Sequence, residues 1–343
     1  MPTNVSPEYK KAEDAYRRAR DPKEKLEHLR EMHRTIPKHK GTEHLQADIK
    51  TRIKELTDEL TGPRKRGART GPPTVFRPEG AAQVALIGPP NTGKSALHDR
   101  LTGSHTAVGE HPYATQWPTP GMLPYDDIGI QLVDVPSVAS THEIPWIANT
   151  LQPADAACLV IDLGHAGCMA EVVELHEILA ARHINLYAAW PVDDAHDDQF
   201  DSYDPFAKRL PTVIVANRAD EIDDVAGELE VFRELTGYTY DAIVTSAETG
   251  EGLEQLAEWL FTHLAVVRVY TKIPHQPPDM GRPNTLRKGD TVLDLARLVH
   301  KDIAAGFHHA RLWGGGTHDG QQVGGDHVLN EFKAVKLPQV ASP

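Results

Sequence analysis

Two cysteines in 343 residues, Cys158 and Cys168, leave no disulfide framework to organise this chain. Long apolar runs are missing as well: nothing approaches the ~18 consecutive apolar residues of a membrane span. The opening Met-Pro-Thr-Asn leads into charged residues, with none of the apolar stretch of a secretory leader. The expectation is a cytoplasmic protein that makes no use of a membrane. Aromatic residues are few, at 6%, yet hydrophobic residues reach 40% and charged ones 25%, ordinary values for a soluble globular chain. A lone small module is excluded, because 343 residues suit two or three domains of ~100–200 residues each.

Positive charge is what the middle of the chain lacks. Residues 71–265 hold 8 Lys and Arg against 30 Asp and Glu, whereas residues 1–70 hold 18 against 12 and residues 266–343 hold 10 against 7. The net charge of −13 therefore hides two basic ends around an acidic body. Such ends can meet a polyanion while the body stays off it, although solvated helix faces of mixed sign would look the same.

Ser6-Pro7-Glu8 and Asp21-Pro22 each read as a helix start, with a capping side chain followed by proline at the first helical position. A third helix is expected after Thr42, where Leu45, Ile49, Ile53, Leu56 and Leu60 recur at steps of three and four and form one apolar stripe. Gly62-Pro63 ends it, and the Pro-, Gly- and Arg-rich stretch to Gly80 reads as a linker. From Ala81 on, apolar runs alternate with helical segments; strands are expected at 83–87, 130–133, 157–161, 212–216 and 242–245. This is the pattern of an α/β domain with a doubly wound, mostly parallel sheet. Six Asp residues between Val192 and Asp204 match no calcium loop, since the glycine and closing glutamate are missing, and read as a solvated loop. The last part predicts a small α+β module, with strands at 266–273, 310–313 and 333–337 and one helix over 291–303.

Gly88-Pro89-Pro90-Asn91-Thr92-Gly93-Lys94-Ser95 fits the phosphate-binding pattern G-x-x-x-x-G-K-[ST] and stands between an expected strand and an expected helix that continues through Ala96. The glycines let the backbone wrap phosphate oxygens, N–H groups and the helix dipole supply positive potential, Lys94 reaches the β- and γ-phosphates, and Ser95 can ligate magnesium. Asp134, at the end of the 130–133 strand, is suited to hold that magnesium through water. Asn217-Arg218-Ala219-Asp220 and Ser246-Ala247 follow two further strands, where doubly wound sheets place ligands. A carboxylate there can accept both the N1 and N2 hydrogens of guanine, a pair that adenine lacks, which makes Asp220 the base-selecting candidate. The proline-rich segment Gly109–Gly121 suits a loop that γ-phosphate orders and hydrolysis releases.

These motifs resemble those of Obg-type translational GTPases, and specifically the developmentally regulated GTP-binding branch. The strings that carry the branch resemblance are His39-Lys40-Gly41-Thr42-Glu43-His44, Arg268-Val269-Tyr270-Thr271-Lys272, Gln276-Pro277-Pro278-Asp279, Leu286-Arg287-Lys288-Gly289, Val323-Gly324 and Asp326-His327-Val328-Leu329. The resemblance implies a helical region over 1–62, a basic linker over 63–80, a G domain over 81–265 and a β-grasp TGS domain over 266–340. It implies Mg²⁺-dependent GTP hydrolysis and association with ribosomes or structured RNA, not DNA, with an accessory protein left open. By position it makes Thr115 the threonine that ligates magnesium in the GTP state. It likewise makes Asn91 the P-loop asparagine that places K⁺ beside the phosphates.

Two positions depart from the family pattern. Ser137 in Asp134-Val135-Pro136-Ser137 replaces the usual glycine, and Arg218 replaces the usual lysine, whose stem covers the base. The next residue is Val138, so no glutamine orients the attacking water, and slow intrinsic turnover is expected. A nucleotide-gated scaffold that scarcely hydrolyses GTP, and an ATP-dependent kinase or ATPase, are the rival readings.

Overall fold

A computed structural model describes residues 6–19, 22–37, 42–61, 72–104, 116–142, 144–191, 206–272, 281, 283–314, 318–329 and 333–336. The chain divides into a helical unit, residues 1–72 with 198–206, and a larger unit formed by the rest.

In the helical unit α1 (Pro7–Arg18), α2 (Pro22–Thr35) and α3 (Glu43–Thr61) form where the proline and capping signals place them. Ser6 Oγ accepts the Tyr9 N–H at 3.1 Å, and Pro7 opens α1. Thr42 lies just before α3; its hydroxyl donates to the Pro37 carbonyl at 2.5 Å and accepts from Gln46 Nε2 at 3.1 Å. Tyr9, Leu29, Met32 and Ile49 are fully buried, Leu45 joins them, and Ile53 and Leu56 pack at the margin of the cluster. Phe206 also belongs to this core, edge-on to Tyr16 at 6.1 Å with the Arg52 guanidinium 4.8 Å from its ring centre. The aspartate-rich stretch before it, 192–205, lies outside the described residues, as do the basic residues 62–71.

The larger unit begins with β1 (Gln83–Ile87), α4 (Lys94–Thr102), β2 (Thr119–Tyr125), β3 (Ile128–Asp134), α5 (Ile147–Leu151) and β4 (Ala156–Ile161). It continues through α6 (Cys168–Ala180), β5 (Ile184–Tyr187), β6 (Lys208–Ala216), α7 (Val225–Thr236), β7 (Ala242–Val244) and α8 (Leu253–His263). The sheet order is β2-β3-β1-β4-β6-β5; the first half of β6 pairs with β5 and its second half with β7. All pairings are parallel except β2 with β3. Successive strand residues face opposite ways, so Val84 and Leu86 pack with Leu97 of α4 and Leu256 and Leu260 of α8, while Ala85 and Ile87 pack with Val172, Leu175 and Phe232 of α6 and α7. Burial on both faces explains why these strands read as continuous apolar runs. β2 and β5 answer to no expected strand; Thr119–Gly121, the end of the proline-rich segment, is the start of β2. Its prolines, Pro120 and Pro124, fit an edge strand, where a missing N–H costs least.

A second sheet follows: β8 (Val266–Thr271), β9 (Asn284–Arg287), α9 (Val292–Val299), α10 (Lys301–Ala305), β10 (Ala310–Trp313), β11 (Gln321–Val323) and β12 (Lys333–Lys336). Its order is β11-β10-β12-β8-β9, with β12 and β8 parallel and the other neighbours antiparallel. α9 lays Val292 and Leu295 onto this sheet against Val269, Leu312 and Val335. The single helix expected over 291–303 is two, because His300 adopts an extended conformation (φ −165°, ψ 136°) between α9 and α10.

Candidate functional site

β1 ends at Ile87 and α4 starts at Lys94, so residues 88–93 feed directly into a helix N-terminus, and no side chain caps it. The first N–H groups of such a helix are donors in search of an anion. Gly88 sits at φ 150° so close to β4 that a Cβ would lie 2.2 Å from the Val160 carbonyl oxygen. Gly93, at φ 82°, leaves no room either, with Asn217 Nδ2 2.4 Å from where a Cβ would stand. Asn91 takes a left-handed conformation, φ 62°, on the exposed rim of the loop.

Lys94 is buried under this loop and donates from Nζ to the Pro89 carbonyl and to Ser137 Oγ, both at 2.6 Å. Burial pushes its pKa down to about 8, against the opposing charges of Asp134 and Glu171. Ser95 Oγ donates to Asp134 Oδ2 at 2.6 Å. Asp134 is fully buried and its other oxygen, Oδ1, has no hydrogen-bond partner among the described residues. Burial, helped by the charge of Asp99, raises the Asp134 pKa, while the Ser95 hydrogen bond and the charges of Lys94 and His98 work against it. A buried carboxylate oxygen without a donor, beside a serine hydroxyl at the end of a strand, is a donor set that fits Mg²⁺. Thr115 lies outside the described residues.

Asn217, also buried, fastens two loops together. Its Nδ2 donates to the Thr92 carbonyl at 2.9 Å, and its Oδ1 accepts the Ala247 N–H at 3.1 Å and the Thr245 hydroxyl at 3.4 Å. Ser246 is buried and its Oγ accepts the Thr249 N–H at 3.0 Å, so both Ser246 and Ala247 order their own loop. Asp220 stands exposed on a short 3₁₀ turn, Ala219–Glu221, after Arg218 at φ 60°. Arg218 Nη1 donates to Asp162 Oδ2 at 3.2 Å, and Asp162 Oδ1 accepts the Gly164 N–H at 3.0 Å.

The family described as 50S ribosome-binding GTPase matches residues 83–190, and the TGS domain family matches residues 267–337. An uncharacterized GTP-binding protein of Halobacterium salinarum is 27% identical over 366 residues, covering 92% of this chain and 98% of its own. Developmentally-regulated G-protein 3 of Arabidopsis thaliana is 24% identical, covering 92% and 98%, and developmentally-regulated GTP-binding protein 1 of Xenopus laevis is 26% identical, covering 90% and 96%. The chain is thus a G-domain and TGS-domain protein related to the developmentally regulated GTP-binding proteins.

The TGS domain grips the G domain at the β2–β3 turn. Arg268 Nη1 of β8 donates to Asp127 Oδ1 at 3.1 Å and Asp126 Oδ2 at 3.3 Å, and the Tyr270 hydroxyl donates to Asp127 Oδ2 at 2.6 Å. The Arg268 guanidinium also covers the Phe261 ring of α8 at 4.8 Å. Three features of the site escaped the sequence: the Lys94–Ser137 bond, the loop-fastening role of Asn217, and Asp162. Asp162 alone left a signal, since it follows an apolar strand run just as Asp134 does.

Proposed function

We propose that this chain hydrolyses GTP to GDP and phosphate with Mg²⁺, slowly on its own, and acts in the cytoplasm on ribosomes or structured RNA. The observation that carries the reading is the meeting of Lys94, Ser95 and Asp134 beneath a glycine loop that opens onto a bare helix N-terminus. In that arrangement residues 88–96 hold the phosphates through backbone N–H groups, and the Lys94 ammonium stabilises charge that grows on the β–γ bridge during water attack. Ser95 and Asp134, with Thr115, would hold Mg²⁺, which neutralises phosphate charge and polarises the γ-phosphoryl group. Asp220 accepts the guanine N1 and N2 hydrogens, while Asn217, Ser246 and Ala247 keep its loop in register with the P-loop. Arg218 is drawn to Asp162, so base covering falls to its aliphatic stem. Asn91, on the rim of the loop, is the K⁺-placing residue.

A second reading, a nucleotide-gated scaffold with little hydrolysis, is favoured by Ser137 on Lys94 and by Val138 where a water-orienting glutamine would stand. Sedimentation with ribosomal subunits in GTP, GDP and a non-hydrolysable analogue tests the partner. Association that depends on the nucleotide is expected, and equal association in all three contradicts it. Phosphate release in K⁺ and in Na⁺ separates the hydrolase from the scaffold: faster release in K⁺, abolished by Asn91→Ala, is the expected result.

A further inference from the structure

Lys94 has three N–H bonds to give. One goes to the Pro89 carbonyl and a second to Ser137 Oγ, each at 2.6 Å, and both side chains are buried, with Lys94 6% and Ser137 7% exposed. One N–H remains. A diphosphate can be met with that single donor, directed at a β-phosphate oxygen. A triphosphate asks for two, one to a β- and one to a γ-oxygen, and the Pro89 bond is part of the loop that forms the site. The bond to Ser137 is the one that must break.

Resting on the proposed guanine-nucleotide site, we propose that Ser137 is a specificity-determining residue, a latch that holds Lys94 in the absence of γ-phosphate and so biases the protein toward GDP over GTP. A glycine at this position has no side chain to offer the ammonium, so the latch belongs to this chain's own sequence. Ser137 lies in the segment that leaves β3 at Asp134, and its neighbours Val135 and Val138 are buried in the sheet core. The latch therefore fastens that segment to the P-loop across 43 positions of sequence, and γ-phosphate releases it by taking over the donor. No new bond is made or broken covalently; one charge-assisted hydrogen bond is exchanged for another.

The cost of that exchange is what the triphosphate bears and the diphosphate does not. A hydrogen bond to a charged group corresponds to roughly ten- to a hundredfold in an equilibrium constant. Calorimetric titration of the full chain with GDP and with a non-hydrolysable GTP analogue, both with Mg²⁺, reads it directly. For Ser137→Ala the analogue should bind about tenfold or more tightly than to the wild type, while GDP affinity and thermal stability stay within twofold and a few degrees. Ser137→Gly should show the same selective gain, and agreement of the two separates the lost hydroxyl from added backbone freedom. Equal changes for both nucleotides, no change, or weaker analogue binding in the variants overturns the latch while leaving the guanine-nucleotide site standing. Failure of the wild type to bind either nucleotide overturns the site and the latch together.

Discussion

At the scale of single residues, Asp220 and Lys94 carry the sharpest consequences. Asp220→Asn replaces an acceptor-only carboxylate with an amide that presents a donor to guanine, so GTP affinity should fall about a hundredfold, from ~1.5–3 kcal/mol per charged hydrogen bond; calorimetry checks it, and the exposed position of Asp220 predicts an unchanged melting temperature. Lys94 has a pKa lowered to about 8 from its ordinary 10.5, so the nucleotide-free protein carries the full penalty of a buried ammonium below about pH 8 and sheds it as pH rises toward 10.5. Phosphate needs the charged form. Affinity for the GTP analogue should therefore hold steady to about pH 8 and then fall, by at most about tenfold per pH unit, and a flat profile to pH 9 contradicts the placement of Lys94. The P-loop residues were legible because phosphate chemistry dictates their types and spacing within eight positions. The Ser137 bond and the Asn217 bridge were not, because each joins segments far apart in sequence, and only the folded β1–β3 and β1–β4–β6 pairings bring them together.

Among the elements, legibility followed burial. The inner strands β1, β3, β4 and β6 each carry an apolar run buried on both faces of the sheet and stood out. β2 was hidden by its prolines, and β9 and β11 carry a single apolar residue each, too few for a pattern. The helix over 291–303 continued in pattern but not in structure. Its apolar residue Leu298 is 56% exposed, and His300 turns the chain before α10. The start of α9 is well fixed: Thr291 Oγ1 accepts the Asp294 N–H at 3.4 Å and the Thr291 N–H donates back to Asp294 Oδ2 at 2.9 Å, a reciprocal capping pair. Thr291→Ala should cost about 1 kcal/mol, seen as faster amide exchange across residues 292–299 with GTP affinity unchanged. Loss of GTP affinity instead would mean that the TGS helix bears on the nucleotide site.

Across the whole molecule, charge is divided between an acidic centre and two basic ends. If the basic residues of 1–70 hold an RNA backbone, affinity falls steeply with salt as condensed counterions are released. Arg64→Ala, Lys65→Ala and Arg66→Ala together should weaken RNA binding and flatten the plot of log K against log salt by roughly 0.9 for each phosphate no longer neutralised. This variant is preferable to deleting the helices, because Phe206 packs in their core and would lose its cover. An unchanged slope would make these charges solvated decoration. The TGS domain meets the G domain at Asp126 and Asp127, the turn between the strand that follows the 105–115 segment and the strand that ends at Asp134. β3 thus runs from the turn that Arg268 holds to Asp134, beside the P-loop. The central claim, that Lys94, Ser95, Asp134 and Asp220 form one guanine-nucleotide hydrolysis site, is tested most directly by single-turnover phosphate release from GTP and from ATP, with Mg²⁺ and K⁺, in the wild type and Lys94→Ala. Slow release from GTP alone, stopped by removing Mg²⁺ and absent in the variant, is the predicted result; equal release from ATP, or an undiminished rate in Lys94→Ala, would contradict it.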